Sequence, residues 1–85
     1  MVTQPEQFPT LAAYIRMGWE CANPDVVRNG LSELRGTSYE VQANEATTLF
    51  DAFLSTDRTR SKLFAARQAR ARKALERIEA LLEAA

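Results

Sequence analysis

Residues 57–85 of this 85-residue chain decide its fold, and they read DRTRSKLFAARQARARKALERIEALLEAA. The stretch contains no Gly or Pro, and most of its residues are strong helix formers. At about 100° per residue, its large apolar side chains fall within one arc of a helix, and most basic side chains occupy the other side. The stretch therefore predicts one long amphipathic helix.

The predicted helix is longer than the rest of the chain should be able to cover. At about 1.5 Å per residue, residues 58–84 would span roughly 40 Å. A compact domain of 85 residues has a diameter of only roughly 30 Å. Since Leu75, Ile78 and Leu82 lie at the far end of the helix, a bare arm would leave them in water. We therefore expect a second subunit or another partner to cover that end.

The predicted partner-binding stripe runs along this helix and comprises Phe64, Arg67, Ala71, Leu75, Ile78, Leu81 and Leu82. Between Phe64 and Leu75 the stripe has only alanines, with Arg67 on its centre line. Small residues allow another helix to approach closely, and Arg67 would then need a partner for its five donors. The alternative is that the Arg67 guanidinium simply reaches water beside the alanines.

Charge divides the chain although the total is zero. Residues 1–57 carry three basic and eight acidic side chains, a net −5, and residues 58–85 carry eight basic and three acidic ones, a net +5. Within the long helix, basic residues crowd the start, and Glu79 and Glu83 lie near the end. That order opposes the helix macrodipole, at a cost of about 0.3–1 kcal/mol for each misplaced charge. Helix stability therefore did not select it, and the simplest explanation is that the basic face pairs with the acidic part of the same chain.

Three shorter helices are predicted before the long one, so the fold class is all-α. We expect a small bundle of about four helices, over residues 10–22, 24–35, 38–54 and 57–84, following an extended lead-in over residues 1–9. The last two helices should form an αα-hairpin, with the first two packed across its closed half. Residues 10–85 would then form a single helical domain.

Capping residues set these boundaries. Thr10 and Asn23 are candidate N-caps, and Asn23 is followed by Pro at the first helical position and by an acidic residue. Gly36 is a typical C-terminal stop. Thr37 with Glu40 three residues later fits a capping box for the third helix, whose apolar face includes Phe50 and Phe53.

Two alternatives remain open at this level. Asn29-Gly30 could form a hairpin turn, and residues 55–57 contain no Gly or Pro, so one helix could run from Ser38 to the end. No repeat, signal peptide or membrane span is apparent. The only cysteine, Cys21, should be a small apolar filler, and a chain without an internal disulfide fits a cytoplasmic protein.

The residue inventory argues against catalysis. There is no histidine, so the commonest general base and metal ligand are missing, and no glycine-rich phosphate loop is present. The acidic residues are spread singly along helix faces, where we expect them to be solvated. We predict no catalytic, cofactor or metal site, and an enzyme is not expected.

Nucleic-acid binding is the main alternative to protein binding. The candidate contacts are the basic residues Arg58, Arg60, Lys62, Arg70, Arg72, Lys73 and Arg77. A helix-turn-helix arrangement is disfavoured because the third helix would carry Glu40, Glu45 and Asp51 into the phosphates. A basic zipper is disfavoured because only about two heptads follow the basic segment.

The leading hypothesis is a non-enzymatic protein-interaction module, homodimeric or complexed through the last helix, that acts by occupying a partner's surface. By analogy of type, such a chain suits an adaptor, chaperone, antitoxin or inhibitor. Binding to a membrane surface is a lesser alternative, because the apolar face of the helix is interrupted.

Overall fold

The computed structural model describes residues 10–84, which form four helices and no strand. The helices are α1 (Leu11–Glu20), α2 (Pro24–Ser32), α3 (Glu40–Leu54) and α4 (Ser61–Ala84). The all-α class and the long last helix are confirmed. The lead-in predicted for residues 1–9 lies outside the described residues.

Local capping sets the N-termini of the first two helices where the sequence predicted them, although α1 ends at Glu20 rather than at residue 22. The Thr10 hydroxyl accepts a hydrogen bond from the Ala13 amide at 3.0 Å, and the Asn23 side chain accepts one from the Val26 amide at 3.4 Å. Both contacts satisfy amides that the first turn of a helix leaves without intrahelical partners. Both predicted N-caps are confirmed.

A tight link joins α1 to α2. The Asn23 amide donates to the Gly18 carbonyl at 2.8 Å and the Ala22 amide donates to the Trp19 carbonyl at 3.1 Å, which is the bonding pattern of a Schellman motif. Ala22 occupies the left-handed position of that motif, with φ 51°. Cys21 is exposed in this link, so the prediction that it fills the core is wrong.

The boundary between α2 and α3 differs from the prediction. α2 continues through Gly30, so there is no hairpin turn, but it ends at Ser32 rather than at residue 35. Gly36 does adopt a left-handed conformation, with φ 80°. The capping box is wrong, because α3 begins at Glu40 with Tyr39 in the N-cap position, and the Thr37 amide that Glu40 would have accepted donates to the Leu34 carbonyl at 3.1 Å. The Thr37 hydroxyl also serves the turn, since it donates to the Leu34 carbonyl at 2.6 Å and accepts from the Tyr39 amide at 3.2 Å.

The break before α4 is real and longer than predicted. α3 ends at Leu54 and α4 begins at Ser61, so the single helix from Ser38 is wrong and α4 starts four residues later than expected. Asp57 organises the link by accepting the Thr59 amide at 3.0 Å. This backbone hydrogen bond lowers the pKa of the Asp57 carboxyl.

The four helices close into a ring in which each contacts its neighbours, α1 with α2, α2 with α3, α3 with α4 and α4 with α1. The core between them collects Ile15, Val27, Leu31, Leu34, Ala43, Ala46, Phe50, Ala71, Leu75 and Ile78. Phe50 is buried and Phe53 is partly buried against this core. The apolar face predicted for the third helix therefore points inward.

Two glycines let α1 and α2 approach closely. A Cβ on Gly18 would lie 2.7 Å from Val26 Cγ1, and a Cβ on Gly30 would lie 2.5 Å from Ile15 Cγ1. Carbon atoms in contact are normally about 3.5–4.0 Å apart. Gly30, where the sequence also allowed a hairpin turn, is therefore a packing requirement of the α1–α2 contact.

The prediction that α4 is too long to be covered is wrong. Leu75 and Ile78 are 0% and 1% exposed within a single chain. Three features account for the error. The molecule is elongated, with extents of 37 × 29 × 19 Å, and α4 begins later and is therefore shorter than predicted. In addition, α1 lies antiparallel along the C-terminal half of α4 and not across the closed half of the hairpin.

A buried carboxylate holds α1 in that position. Glu79 on α4 is 4% exposed and accepts from Arg16 of α1 at 3.3 Å and from Arg72 at 3.4 Å. Arg16 also reaches Glu83 at 3.0 Å, and hydrogen bonding to Glu79 raises the pKa of Arg16. The expectation that all acidic residues lie on solvated faces is therefore wrong at Glu79.

We predict that Glu79→Gln will destabilise the fold by about 1–3 kcal/mol, because it weakens two charge-assisted hydrogen bonds in a buried position. This loss exceeds the roughly 0.3–1 kcal/mol recovered from the macrodipole. Urea unfolding measures the change. Glu83→Gln is the matched control, because it removes a half-exposed partner of the same arginine and should cost at most about 1 kcal/mol. Equal effects of the two variants would contradict the role given to Glu79.

We also predict that Ile78→Asp will unfold the monomer, because an unpaired charge in the core costs several kcal/mol and so small a domain has little stability to lose. Circular dichroism and sedimentation equilibrium measure helicity and mass together. Val41→Asp, the same kind of change at a residue that is 74% exposed on α3, should leave both unchanged. A folded Ile78→Asp monomer derived from a wild-type dimer would instead place Ile78 at a subunit contact.

Candidate interaction surfaces

An open groove lies where the α1–α2 link meets the closed end of the α3–α4 hairpin. It has a volume of about 610 Å³. One wall comes from Gly18, Trp19 and the link residues after α1, and the other comes from the end of α3 and the start of α4. We call this the aromatic groove. Its principal side chains are Trp19, Phe50, Phe53, Leu54, Arg58 and Phe64.

The aromatic rings of this groove form a continuous contact chain. Phe50 and Phe53 are three residues apart on α3, so they share a helix face. The ring centroid of Phe53 lies 5.6 Å from that of Trp19 and 5.1 Å from that of Phe64. These distances are within the range of favourable aromatic pairs. The rings hold α1, α3 and α4 together, and their outward edges line the groove.

Two arginines lie against these rings. The Arg58 guanidinium is 5.7 Å from the centroid of Phe64, and the Arg72 guanidinium is 5.7 Å from that of Trp19. Arg72 is also held by Glu76 and Glu79. Arg58 has no carboxylate partner among residues 10–84, and it is the one ionisable side chain in the groove lining that the structure describes. The groove therefore offers apolar surface beside one unpaired cation.

Exposed apolar surface marks the same end of the molecule. Leu54, at the end of α3, lines the groove and is 38% exposed. The start of α4 also carries Leu63, which is equally exposed. Neither side chain is needed to fill the core, so both can be changed with little effect on the fold.

The predicted partner-binding stripe is divided by the structure. Ala71, Leu75 and Ile78 belong to the core, and Leu82 packs partly buried against it. Leu81 is half-buried. Only Phe64 borders the aromatic groove. The periodicity identified the apolar face of α4 correctly but gave no sign that α1 would cover it.

Arg67 has a partner within the chain. It donates from Nη1 to the Thr56 hydroxyl at 2.8 Å, and that hydroxyl donates to the Ala52 carbonyl at 2.6 Å. Arg67 therefore joins α4 to the end of α3. The structure shows no carboxylate among residues 10–84 paired with it.

The predicted nucleic-acid contacts also separate into groups. Arg58 and Arg72 lie against the rings of the aromatic groove. The other side chains of the set are exposed, namely Arg60, Lys62, Arg70, Lys73 and Arg77. Among residues 10–84, none of these five has an ion pair.

The hypothesis that the basic face pairs with the acidic part of the chain is therefore wrong for the part that the structure describes. The ion pairs between α4 and the preceding residues run the other way, from Arg16 to Glu79 and Glu83. A separate pair joins Arg28 to Asp51. The reversed order of charges along α4 thus has a partial explanation, since its acidic end receives an arginine from α1.

Residues 10–84 contain no group of three side chains arranged to hold a metal ion. No helix within that range is long and apolar enough to cross a bilayer.

Comparisons with protein-family models, with curated proteins and with solved structures find no match to this chain. The aromatic groove and the exposed basic residues of α4 are the two surfaces whose chemistry indicates a ligand.

Proposed function

We propose that this chain is a non-enzymatic protein-interaction module whose aromatic groove binds an apolar segment of another protein. The observation that supports it is an open, aromatic-lined groove with the unpaired Arg58 at its rim. Aromatic and arginine side chains are the types most enriched at the energetic centres of protein interfaces. The proposal keeps the interaction role expected from the sequence but moves the interface from the far end of α4 to its start.

The positive charge of Arg58 at the groove indicates which kind of segment should bind there. An arginine beside apolar surface pairs best with a carboxylate, because a guanidinium and a carboxylate match in both charge and geometry. We therefore expect a segment with an aromatic or branched aliphatic anchor and an acidic residue close to it. A second copy of this chain and a small organic acid are the competing occupants.

Binding of such a segment would let the protein act as an adaptor, chaperone, antitoxin or inhibitor, by covering part of a partner. A cytoplasmic setting is part of this proposal, because a single cysteine suits a reducing compartment. The homodimer expected through Leu75 and Ile78 is not part of it, since those side chains already fill the core.

Peptide selection tests this proposal directly. A random peptide library displayed against the immobilised wild type should enrich sequences that combine an apolar anchor with Asp or Glu. Trp19 is the only tryptophan in the chain and lies in the groove, so its fluorescence can report binding of synthetic versions. Leu54→Asp should weaken binding about tenfold or more, since it places a charge on the apolar wall.

Two further variants make the test specific. Val41→Asp changes an exposed apolar residue of the same helix outside the groove and should bind like the wild type. Arg58→Glu should reject acidic peptides and recover binding when their acidic residue is replaced by Lys. The aromatic groove is not the binding site if no peptide is enriched, or if the enriched peptides bind Leu54→Asp as well as the wild type. A wild-type dimer dissociated by Leu54→Asp would identify a second copy as the occupant.

A further inference from the structure

A second surface lies on the side of α4 away from Phe64 and the groove. Lys62, Arg70, Lys73 and Arg77 fall within an arc of about 80° at 100° per residue, and all four are exposed. Along the axis they extend over about 22 Å at 1.5 Å per residue. We call these four residues the outer basic face. Arg60, just before α4, adds another exposed cation near its start.

The carboxylates that form ion pairs among residues 10–84 are paired with arginines outside this face. Glu76 is held by Arg72 at 3.0 Å, and Glu79 and Glu83 are held by Arg16. Asp51 is paired with Arg28. Among residues 10–84, the four cations of the outer basic face have no ion-pair partner. Their charge is therefore available to a ligand.

The other residues of the face indicate which ligand it suits. Ala66, Ala69 and Ala80 lie between or beside the cations and are exposed. The arc itself holds no large apolar side chain, and the nearest exposed one, Leu63, lies about 20° beyond its edge. A protein interface normally needs apolar anchors at its centre, and an amphipathic helix on a membrane needs an apolar face to insert. A phosphate backbone needs neither, because cationic contacts supply its non-specific binding.

We propose that the outer basic face of α4 binds the phosphodiester backbone of nucleic acid, without reading the sequence. The axial intervals from Arg70 to Lys73 and from Lys73 to Arg77 are about 4.5 and 6 Å. Phosphates follow one another every 3.4 Å or so along the axis of a duplex strand. Each cation can therefore reach a phosphate of its own, and the shallow alanine surface allows the backbone to approach.

Two carboxylates flank the site. Glu76 of α4 and Glu45 of α3 both line the groove of about 570 Å³ between α3 and α4, together with Arg70, Lys73 and Arg77. Glu76 is paired with Arg72 at 3.0 Å, whereas Glu45 forms no ion pair with any residue in the range 10–84. Its charge repels phosphate on the α3 flank, so the backbone should lie over α4 itself. Base readout by α3 is excluded by the same repulsion.

Fluorescence anisotropy with a labelled random-sequence duplex tests the proposal. If the four cations each displace one counterion, the logarithm of the binding constant should fall with the logarithm of the salt concentration with a slope of about −3.6. The variant Arg70→Gln/Lys73→Gln/Arg77→Gln should reduce the slope to about −0.9 and weaken binding at low salt. Glutamine is a good helix former, and circular dichroism checks that α4 is retained.

Single substitutions distinguish binding at the outer basic face from a general effect of the protein's net charge. Lys73→Gln should lower the salt slope by about 1, whereas Arg35→Gln removes an exposed, unpaired cation away from α4 and should leave the slope unchanged. Glu45→Gln should strengthen binding. The proposal fails if neither duplex nor single strand binds at low salt, or if the triple variant binds as well as the wild type. It also fails if vesicles of anionic lipid or polyglutamate bind the same face while nucleic acid does not.

Discussion

The buried carboxylate of Glu79 is the contact on which the arrangement of this molecule depends. It receives Arg16 from α1 and Arg72 from its own helix, and Arg72 in turn lies over the ring of Trp19. This network fixes α1 antiparallel along the C-terminal half of α4. Because α1 lies there, Leu75 and Ile78 are covered by the chain itself and need no partner.

The same placement of α1 determines which surfaces remain open. The C-terminal end of α1 reaches the closed end of the hairpin, where Trp19 meets Phe50 and Phe53, and the link that follows forms a wall of the aromatic groove. On the outside of α4, the cations that have no ion pair within residues 10–84 are exposed to water. The groove is apolar with a single cation, whereas the outer face is cationic with only alanines between its charges. Two surfaces of such different chemistry can serve two different ligands at the same time.

The predictions that depended on neighbouring residues were largely correct. The caps at Thr10 and Asn23 each follow from a contact within a few residues. Gly36 is left-handed, but α2 ends at Ser32, so Gly36 is not the stop predicted for that helix. The capping box at Thr37 failed because the turn before α3 already uses the Thr37 amide, which donates to the Leu34 carbonyl, and α3 begins only at Glu40. Gly30, a weak point by helix propensity, was explained only by Ile15 of the neighbouring helix. The groove was not predicted, because its walls come from segments distant in the sequence.

The sequence alone determined that this chain is all-α, with a long amphipathic last helix and charges divided between its two parts, because helix propensity, capping and periodicity act over a few residues. Only the tertiary structure decided which faces are covered. The apolar stripe of α4 has the same sequence pattern whether α1 or a second chain covers it. Periodicity indicates that a helix face is buried but not which element covers that face. The pairing of Arg16 with Glu79 spans 63 residues, and a contact at that separation leaves no local pattern in the sequence.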